Sequence, residues 1–397
     1  MLEAMAISKR GAVDLLVEAD WLKKLQKSEA TGKPLRIKLG LDPTAPDIHI
    51  GHTVVLDKMR QLQDLGHTVI FLIGDFTSRI GDPSGRNSTR PPLTNEQIKS
   101  NAQTYFKQAA IVLDEAKTEI RYNSEWSEPL GADGLIKLAA KYTVARIIER
   151  DDFTNRLKAG IPISMHELLY PLMQGYDSVA LRSDLELGGT DQKFNLLVGR
   201  NLQSEYGQEP QCILTMPLLE GLDGVEKMSK SKNNYIAITE APSEMFGKIM
   251  SISDELMWRY FVLLSRTPLD EIERYKKECS EGRNPRDIKV LLGQEIVRRF
   301  HSAHAADDAL AQFNARFVQG ALPENMSEVT LHGAPLPIAQ ALKQANLAPS
   351  TSEAYRNIEQ GGVQIDGVRI EDKQLKLPAG QYVLQVGKRK FARVTIV

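Results

Sequence analysis

Two stretches of this 397-residue chain carry residue types that could handle phosphate. The first, His49-Ile-Gly-His52, follows the apolar run Leu35–Leu41 and a turn-forming Asp42-Pro-Thr-Ala-Pro46, and runs into Val54–Leu65, which is apolar at helical spacing. A helix N-terminus exposes unpaired N–H groups and a partial positive charge, a natural seat for phosphate. Histidines three apart share one face of the first turn, where their imidazoles can donate to phosphate oxygens. Gly51 lacks a side chain, so a flat base or ribose can approach the backbone. Thr44, in the preceding turn, could add a hydroxyl. The second stretch, Glu226-Lys-Met-Ser-Lys-Ser-Lys232, alternates three lysines with hydroxyls behind Gly221 and Gly224. Such a stretch is either a solvated turn or a loop that stabilises a pyrophosphate leaving group as its charge builds. A third pattern, Tyr170, Gln174 and Asp177, falls at i, i+4 and i+7 on an otherwise apolar helix. That stripe is either a buried polar network, whose members must be paired, or a ligand site.

The elements around these residues define how they are held. Residues 1–34 read as helical up to Gly32-Lys-Pro34. A strand over 35–41, a helix over 50–65 closed by Gly66 and a strand over 68–73 make a βαβ unit, which implies a parallel sheet with helices on its faces. A loop rich in glycine and proline, Gly74–Gly85, precedes a helix opened by the capping box Thr94-Asn-Glu-Gln97. Mixed helical and strand-like segments continue to about residue 240, with a turn at Leu187-Gly-Gly-Thr-Asp-Gln192. From 241 to 322 the pattern is helical only, with starts at Thr267-Pro268 and Asn284-Pro285 and many bases. Residues 323–335 read as a linker. Beyond it two short helices end at Gly361-Gly362, a hairpin over 363–370 turns at Asp366-Gly367, and two strands meet around Gly387-Lys388. From 331 onward nine basic residues face five acidic ones, a basic module suited to RNA or simply a solvated hairpin.

Bulk composition narrows the classes. The chain is long enough for two or three domains, 42% apolar and 25% charged, with a net charge of −1. No whole-molecule attraction to nucleic acid or membrane follows, so such contact must use a local patch. Cys212 and Cys279 stand apart, against a disulfide scaffold or a cysteine-ligated zinc. His301 and His304 lie three apart but lack a third ligand, and His67, His166 and His332 have no recognisable partner, so no metal site is expected. No apolar run matches a membrane span or signal peptide; the expected location is the cytoplasm, with neither membrane nor DNA as partner.

Together, His49-Ile-Gly-His52 and Lys227-Met-Ser-Lys-Ser231 resemble the paired motifs of class I aminoacyl-tRNA synthetases, in that family's order and at a similar separation. The Tyr170, Gln174 and Asp177 stripe resembles the tyrosyl branch, and the C-terminal module resembles the S-four-like domain that its bacterial members carry. The resemblance implies an α/β chain: a Rossmann-like parallel-sheet catalytic domain over 1–240 with an inserted dimer and connective region, an α-helical anticodon-side domain over 241–325, and a small α+β S-four-like RNA-binding domain over 336–397. It implies Mg-ATP, L-tyrosine and tRNA(Tyr) as substrates and a homodimer joined through roughly 110–160.

For the site, the resemblance implies that Asp177 accepts from the substrate phenol, and that Tyr170, Gln174 and Asp82 hold its ammonium. Gln192, Gly40 and Asp42 would line the tyrosine pocket. Gly189 and Asp191 match ribose-binding positions, while Thr77, Arg86 and Arg90 match positions that orient the adenylate or steady the pyrophosphate. Gly51 and the loop Lys227, Met228, Ser229, Lys230 and Ser231 would bind ATP. His49, His52, Thr44, Lys227 and Lys230 would carry the transition state. Three positions depart from the family: Lys38 stands for a frequent tyrosine, Leu39 for a frequent cysteine and Glu186 for a frequent glutamine. Lys38 could donate to the phenol oxygen or turn away and leave that task to Asp177. Two rivals share part of the pattern. A tryptophanyl enzyme should lack the stripe and the C-terminal module, and a non-catalytic RNA-binding relative need not keep the histidines and lysines.

Overall fold

A computed structural model describes residues 1–43, 48–83, 94–317, 326–387 and 390–397. The chain divides into two units, Met1–Asp307 and Asp308–Val397. The first is built on a six-stranded sheet of β1 (Asp14–Leu16), β2 (Arg36–Leu41), β3 (Thr68–Ile73), β4 (Thr118–Tyr122), β5 (Leu185–Gly189) and β6 (Cys212–Met216), in the order β1-β6-β5-β2-β3-β4. All pairs are parallel except β1 with β6. The run Thr-Val-Ile-Phe-Leu-Ile of β3 is buried from Val69 to Ile73, as a strand covered on both faces requires.

The order holds the key to function. From β2 the chain moves outward through β3 to β4, then returns to place β5 on the other side of β2. A crevice therefore opens at the carboxyl ends of β2 and β5, where ligands of open α/β sheets bind. Helices Ile50–Asp64, Met165–Leu181 and Lys193–Glu205 follow or flank these strands; the first carries His52 and the second Tyr170, Gln174 and Asp177.

Three expected elements come out differently. Residues 1–34 are two helices, Leu2–Lys9 and Glu18–Thr31, separated by β1, whose three residues pair with Ile213–Thr215. Local periodicity carries no trace of a partner about two hundred residues away. The helix expected from Thr267 begins at Leu269 with Pro268 as its cap, because the Ser265 and Thr267 hydroxyls bond to each other and to Glu295 instead. The linker expected over 323–335 contains the strand Ser327–Leu331, which pairs in parallel with Lys390–Ile396.

Residues 242–300 are helical as expected, with Asn284 capping the Pro285–Phe300 helix. In the second unit a five-stranded sheet packs on helices Ile338–Gln344 and Thr351–Glu359 around Leu342, Ile358, Val363 and Leu384. Its hairpin turns at Asp366 and Gly367, both with positive φ (49° and 81°), the pairing a two-residue turn favours. Lys388 and Arg389 of the basic turn lie outside the described residues.

Candidate active site

The Ile50–Asp64 helix starts with its own two histidines as caps. The Gly51 N–H donates to His49 Nδ1 and the His49 N–H donates to His52 Nδ1, each at 3.2 Å. This reciprocal arrangement satisfies two of the helix's orphan donors. It also selects a tautomer: with Nδ1 accepting, the proton of each neutral ring sits on Nε2, so both imidazoles keep a donor for a ligand. Burial, with the nearby Lys230 charge, pushes the His49 and His52 pKa values down to about 2 and about 4, so both rings are neutral at pH 7. A Cβ at Gly51 would lie 2.9 Å from the His49 ring, so the packing of that ring onto the first turn itself demands glycine.

Main-chain bonds bring the lysine loop onto this helix. The Ile50 N–H donates to Ile236 O (2.9 Å) and the Ile238 N–H to Ile48 O (3.3 Å), a short antiparallel bridge linking segments nearly two hundred residues apart. Met228 is buried and would touch a side chain placed at Gly51. Asn234 pins the loop: its Nδ2 donates to Asp223 Oδ2 (2.6 Å) and to the Lys227 carbonyl (3.3 Å), and its Oδ1 accepts from the Ser229 N–H (2.8 Å). Lys227 lies close enough to Asp191 to oppose the rise that burial imposes on that carboxyl's pKa.

At the other end of the crevice, carboxylates gather. Asp42 Oδ1 accepts from the Thr77 hydroxyl (2.7 Å) and Oδ2 from the Tyr170 hydroxyl (2.9 Å). Gly74 makes this possible, since a Cβ there would fall 2.1 Å from Asp42 Oδ1. Asn195 donates to Gln174 (2.8 Å) and to Gln192 (3.2 Å), and Gln192 Nε2 donates to Asp82 Oδ2 (2.7 Å). Burial, reinforced by the Asp82 charge, raises Asp42 to about 7, while Asp82 itself lies 3.5 Å from the Arg150 guanidinium. Deeper still, Asp177 Oδ1 accepts from Trp126 Nε1 (2.8 Å) and Oδ2 from Asn123 Nδ2 (3.3 Å).

One cavity of about 620 Å³ joins both ends. It is lined by Lys38, Gly40, Asp42, Thr77, Asp82, Tyr170, Gln174, Asp177 and Gln192 at one end. At the other stand His49, Gly51, His52, Gly189, Asp191, Lys227, Met228, Ser229 and Ser231. Lys230 is not part of the lining, although its charge reaches both histidines. Thr44, Arg86 and Arg90 lie outside the described residues.

The sequence model for class I tRNA synthetases (W and Y) matches residues 30–318, and that for the S4 domain matches 336–382. The tyrosine–tRNA ligase of Cupriavidus pinatubonensis is 74% identical over 396 residues, covering 100% of this chain and 96% of that protein. The tyrosine–tRNA ligase of Ralstonia nicotianae is 72% identical, covering 99% of this chain and 100% of that one. The chain belongs to the tyrosyl-tRNA synthetase family. Among solved structures, the tyrosyl-tRNA synthetase from Archaeoglobus fulgidus complexed with L-tyrosine aligns with a TM-score of 0.62 at 25% identity, covering 78% of this chain and 99% of that one. A C-terminally truncated mitochondrial tyrosyl-tRNA synthetase from Aspergillus nidulans shares the fold, with a TM-score of 0.66 at 22% identity over 80% of this chain and 95% of that one.

Several residues that shape this tyrosyl-tRNA synthetase cavity escape a reading of the sequence. Asn123 and Trp126 lie at the start of the Ser124–Ala139 helix, whose pattern gives no hint that they face Asp177. Asn234 and Asp223 look like ordinary loop polars. The turn-forming pair Asn233 and Asn234, directly after the last lysine, was the one available signal: Asn233 takes the left-handed conformation (φ 52°) that ends the turn. Lys38 reaches neither open solvent nor Asp177 by a hydrogen bond. It is tied to Glu186 Oε1 (2.9 Å) and the Ser178 hydroxyl (2.8 Å).

Proposed function

We infer that this chain is a tyrosine–tRNA ligase that activates L-tyrosine with ATP, releases pyrophosphate and passes the tyrosyl group to the 3′-terminal ribose of tRNA(Tyr). The observation that carries this reading is the single cavity, with neutral histidine donors and a lysine loop at one end and the buried acceptor Asp177 at the other. ATP enters as its Mg²⁺ complex. Its phosphates lie against the first turn of the Ile50–Asp64 helix, and its ribose lies by Gly189 and Asp191. The tyrosine ammonium sits among Asp82, Tyr170 and Gln174, with Thr77, Asp42, Gly40 and Gln192 shaping that end. An incoming ammonium there lies beside the Asp42 carboxyl, which burial and the Asp82 charge hold above its ordinary range.

The tyrosine carboxylate then attacks the α-phosphorus in line, the bond to the β-phosphate oxygen breaks, and pyrophosphate leaves. No enzyme nucleophile takes part. The protein contributes alignment and charge stabilisation, with His49 and His52 donating from Nε2 and Lys227 and Lys230 meeting the charge of the leaving group. Thr44, Arg86 and Arg90 would add donors to the same phosphates. Exchange of pyrophosphate into ATP, run with tyrosine, tryptophan and phenylalanine in the absence of tRNA, tests the assignment. Exchange with tyrosine alone is expected, and exchange with tryptophan would overturn it.

Ile136, Val144, Leu157 and Met165 are 52–77% exposed along 136–165, an apolar set that a second copy of the chain would cover. The expected species is a homodimer acting in the cytoplasm. Sedimentation at the mass of a single chain would contradict the dimer. The helical segment within 241–325 and the basic module at the C-terminus are assigned to tRNA. Because Ser327–Leu331 is a strand of the second unit's sheet, a clean removal must take 326–397. That truncation should leave pyrophosphate exchange within about threefold while reducing tRNA charging by roughly 100-fold, the loss of several phosphate contacts. Equal losses in both assays would refute this division.

A further inference from the structure

The two departures from the family pattern at the tyrosine end meet each other in space. Lys38 on β2 and Glu186 on β5 are direct register partners in the parallel sheet. Their side chains are 0% and 1% exposed and form an ion pair at 2.9 Å. The Ser178 hydroxyl closes a ring with them, accepting from Lys38 Nζ (2.8 Å) and donating to Glu186 Oε2 (2.9 Å), while Gln211 Nε2 donates to the same oxygen (2.5 Å). Ser178 follows Asp177 on one helix, and Lys38 and Asp177 both line the cavity. Lys38 therefore pairs directly with Glu186, while its charge also acts on Asp177 without a bond between them.

We propose that Lys38 and Glu186 act as one positioning unit for tyrosine selection: Lys38 keeps Asp177 ionised and able to accept from the phenol, and Glu186 with Ser178 holds the ammonium and balances its charge. This deepens the function proposed above and rests on it. A buried carboxylate presents its accepting form only if a nearby cation offsets its lost hydration. Around Asp177, Glu186 on β5, Asp42 beyond β2 and Tyr170 on its own helix are negative or neutral; Arg121 on β4 stacks on the Trp126 ring (5.4 Å) that donates to Asp177, and Lys38 is the cation that acts most on the carboxyl itself. Trp126 and Asn123 add neutral donors. Burial raises Asp177 to about 7, with Lys38 acting against that rise and Glu186 adding to it.

The two single substitutions should therefore act in opposite directions. The readout is the tyrosine-over-phenylalanine ratio of kcat/KM in pyrophosphate exchange as a function of pH; groups that serve both amino acids alike, such as Asp42, cancel. In the parent the ratio should rise as pH climbs through neutrality. Lys38→Met should move that rise to higher pH by about one unit or more, a roughly tenfold loss of preference on the acid side that alkali restores. Glu186→Gln should move it to lower pH, and the double variant should return it near the parent's position. A merely structural pair would lower activity in both single variants without moving the rise, and that result, or shifts in the same direction, overturns the proposal. If Lys38→Met does not fold, Glu186→Gln decides: a rise that stays in place or moves up overturns it. A parent that shows no exchange with tyrosine would refute the ligase assignment itself, whereas normal exchange with unmoved profiles refutes only the role of the pair.

Discussion

Asp177→Ala should collapse the preference for tyrosine over phenylalanine, chiefly by lowering kcat/KM for tyrosine. Asp177 is 2% exposed, and its two oxygens already accept from Trp126 and Asn123. A tyrosine hydroxyl adds a charge-assisted hydrogen bond in a water-poor pocket, whereas phenylalanine strips the carboxylate of water and offers nothing in return. A hydrogen bond to a charged group contributes about 1.5–3 kcal/mol, and an unsatisfied buried acceptor costs about 1–3 kcal/mol more. Together these amount to about 2.5–6 kcal/mol, roughly 10²- to 10⁴-fold in the ratio. Steady-state pyrophosphate exchange with each amino acid measures it, with thermal melting as the check that the variant folds. The same carboxyl, raised to about 7 by burial, should make the ratio pH-dependent in the parent: protonation below neutrality removes the acceptor, so preference falls on the acid side. An Asp177→Ala ratio equal to the parent's would remove Asp177 from substrate selection.

His52→Ala should lower turnover in activation by about 10²- to 10³-fold, the usual consequence of losing one preorganised donor to a developing charge. The ATP KM should change by only about a few-fold, because the donor matters where charge accumulates. The helix loses a reciprocal cap as well, so roughly 1 kcal/mol of stability should disappear; that shows in the melting temperature and is distinct from the kinetic effect. Because burial holds both histidines neutral well below pH 6, neither should contribute a titration to turnover between about pH 6 and 9. A His52→Ala enzyme with intact turnover and a large rise in ATP KM would assign the ring to ground-state binding instead.

Much of this molecule can be read along the chain. The βαβ unit at β2 and β3, the capped helices at Thr94 and Asn284, and the Asp366-Gly367 hairpin are local events, decided by apolar periodicity, cap residues and turn chemistry within a few positions. The short strand β1 and the strand Ser327–Leu331 could not be read this way, because each exists only through pairing with a distant segment. Partners of functional groups share this difficulty. Asn123 and Trp126 reach Asp177 from a helix start with no distinguishing pattern, and Asn234 pins the lysine loop through contacts visible only when the loop is folded.

By itself the sequence determined the parallel-sheet class, the His49–His52 and Lys227–Ser231 motifs, the Tyr170, Gln174 and Asp177 stripe and the family, since each lies in residue types at fixed short spacings. The tertiary structure alone decided which imidazole nitrogens remain donors, that a main-chain bridge at Ile50 and Ile236 draws the motifs together, and that Lys38 is bound to Glu186. Tautomers, long-range hydrogen bonds and the buried Lys38–Glu186 ion pair depend on distances through space. Lys38 and Glu186 lie far apart in the chain and become neighbours only when β5 inserts beside β2.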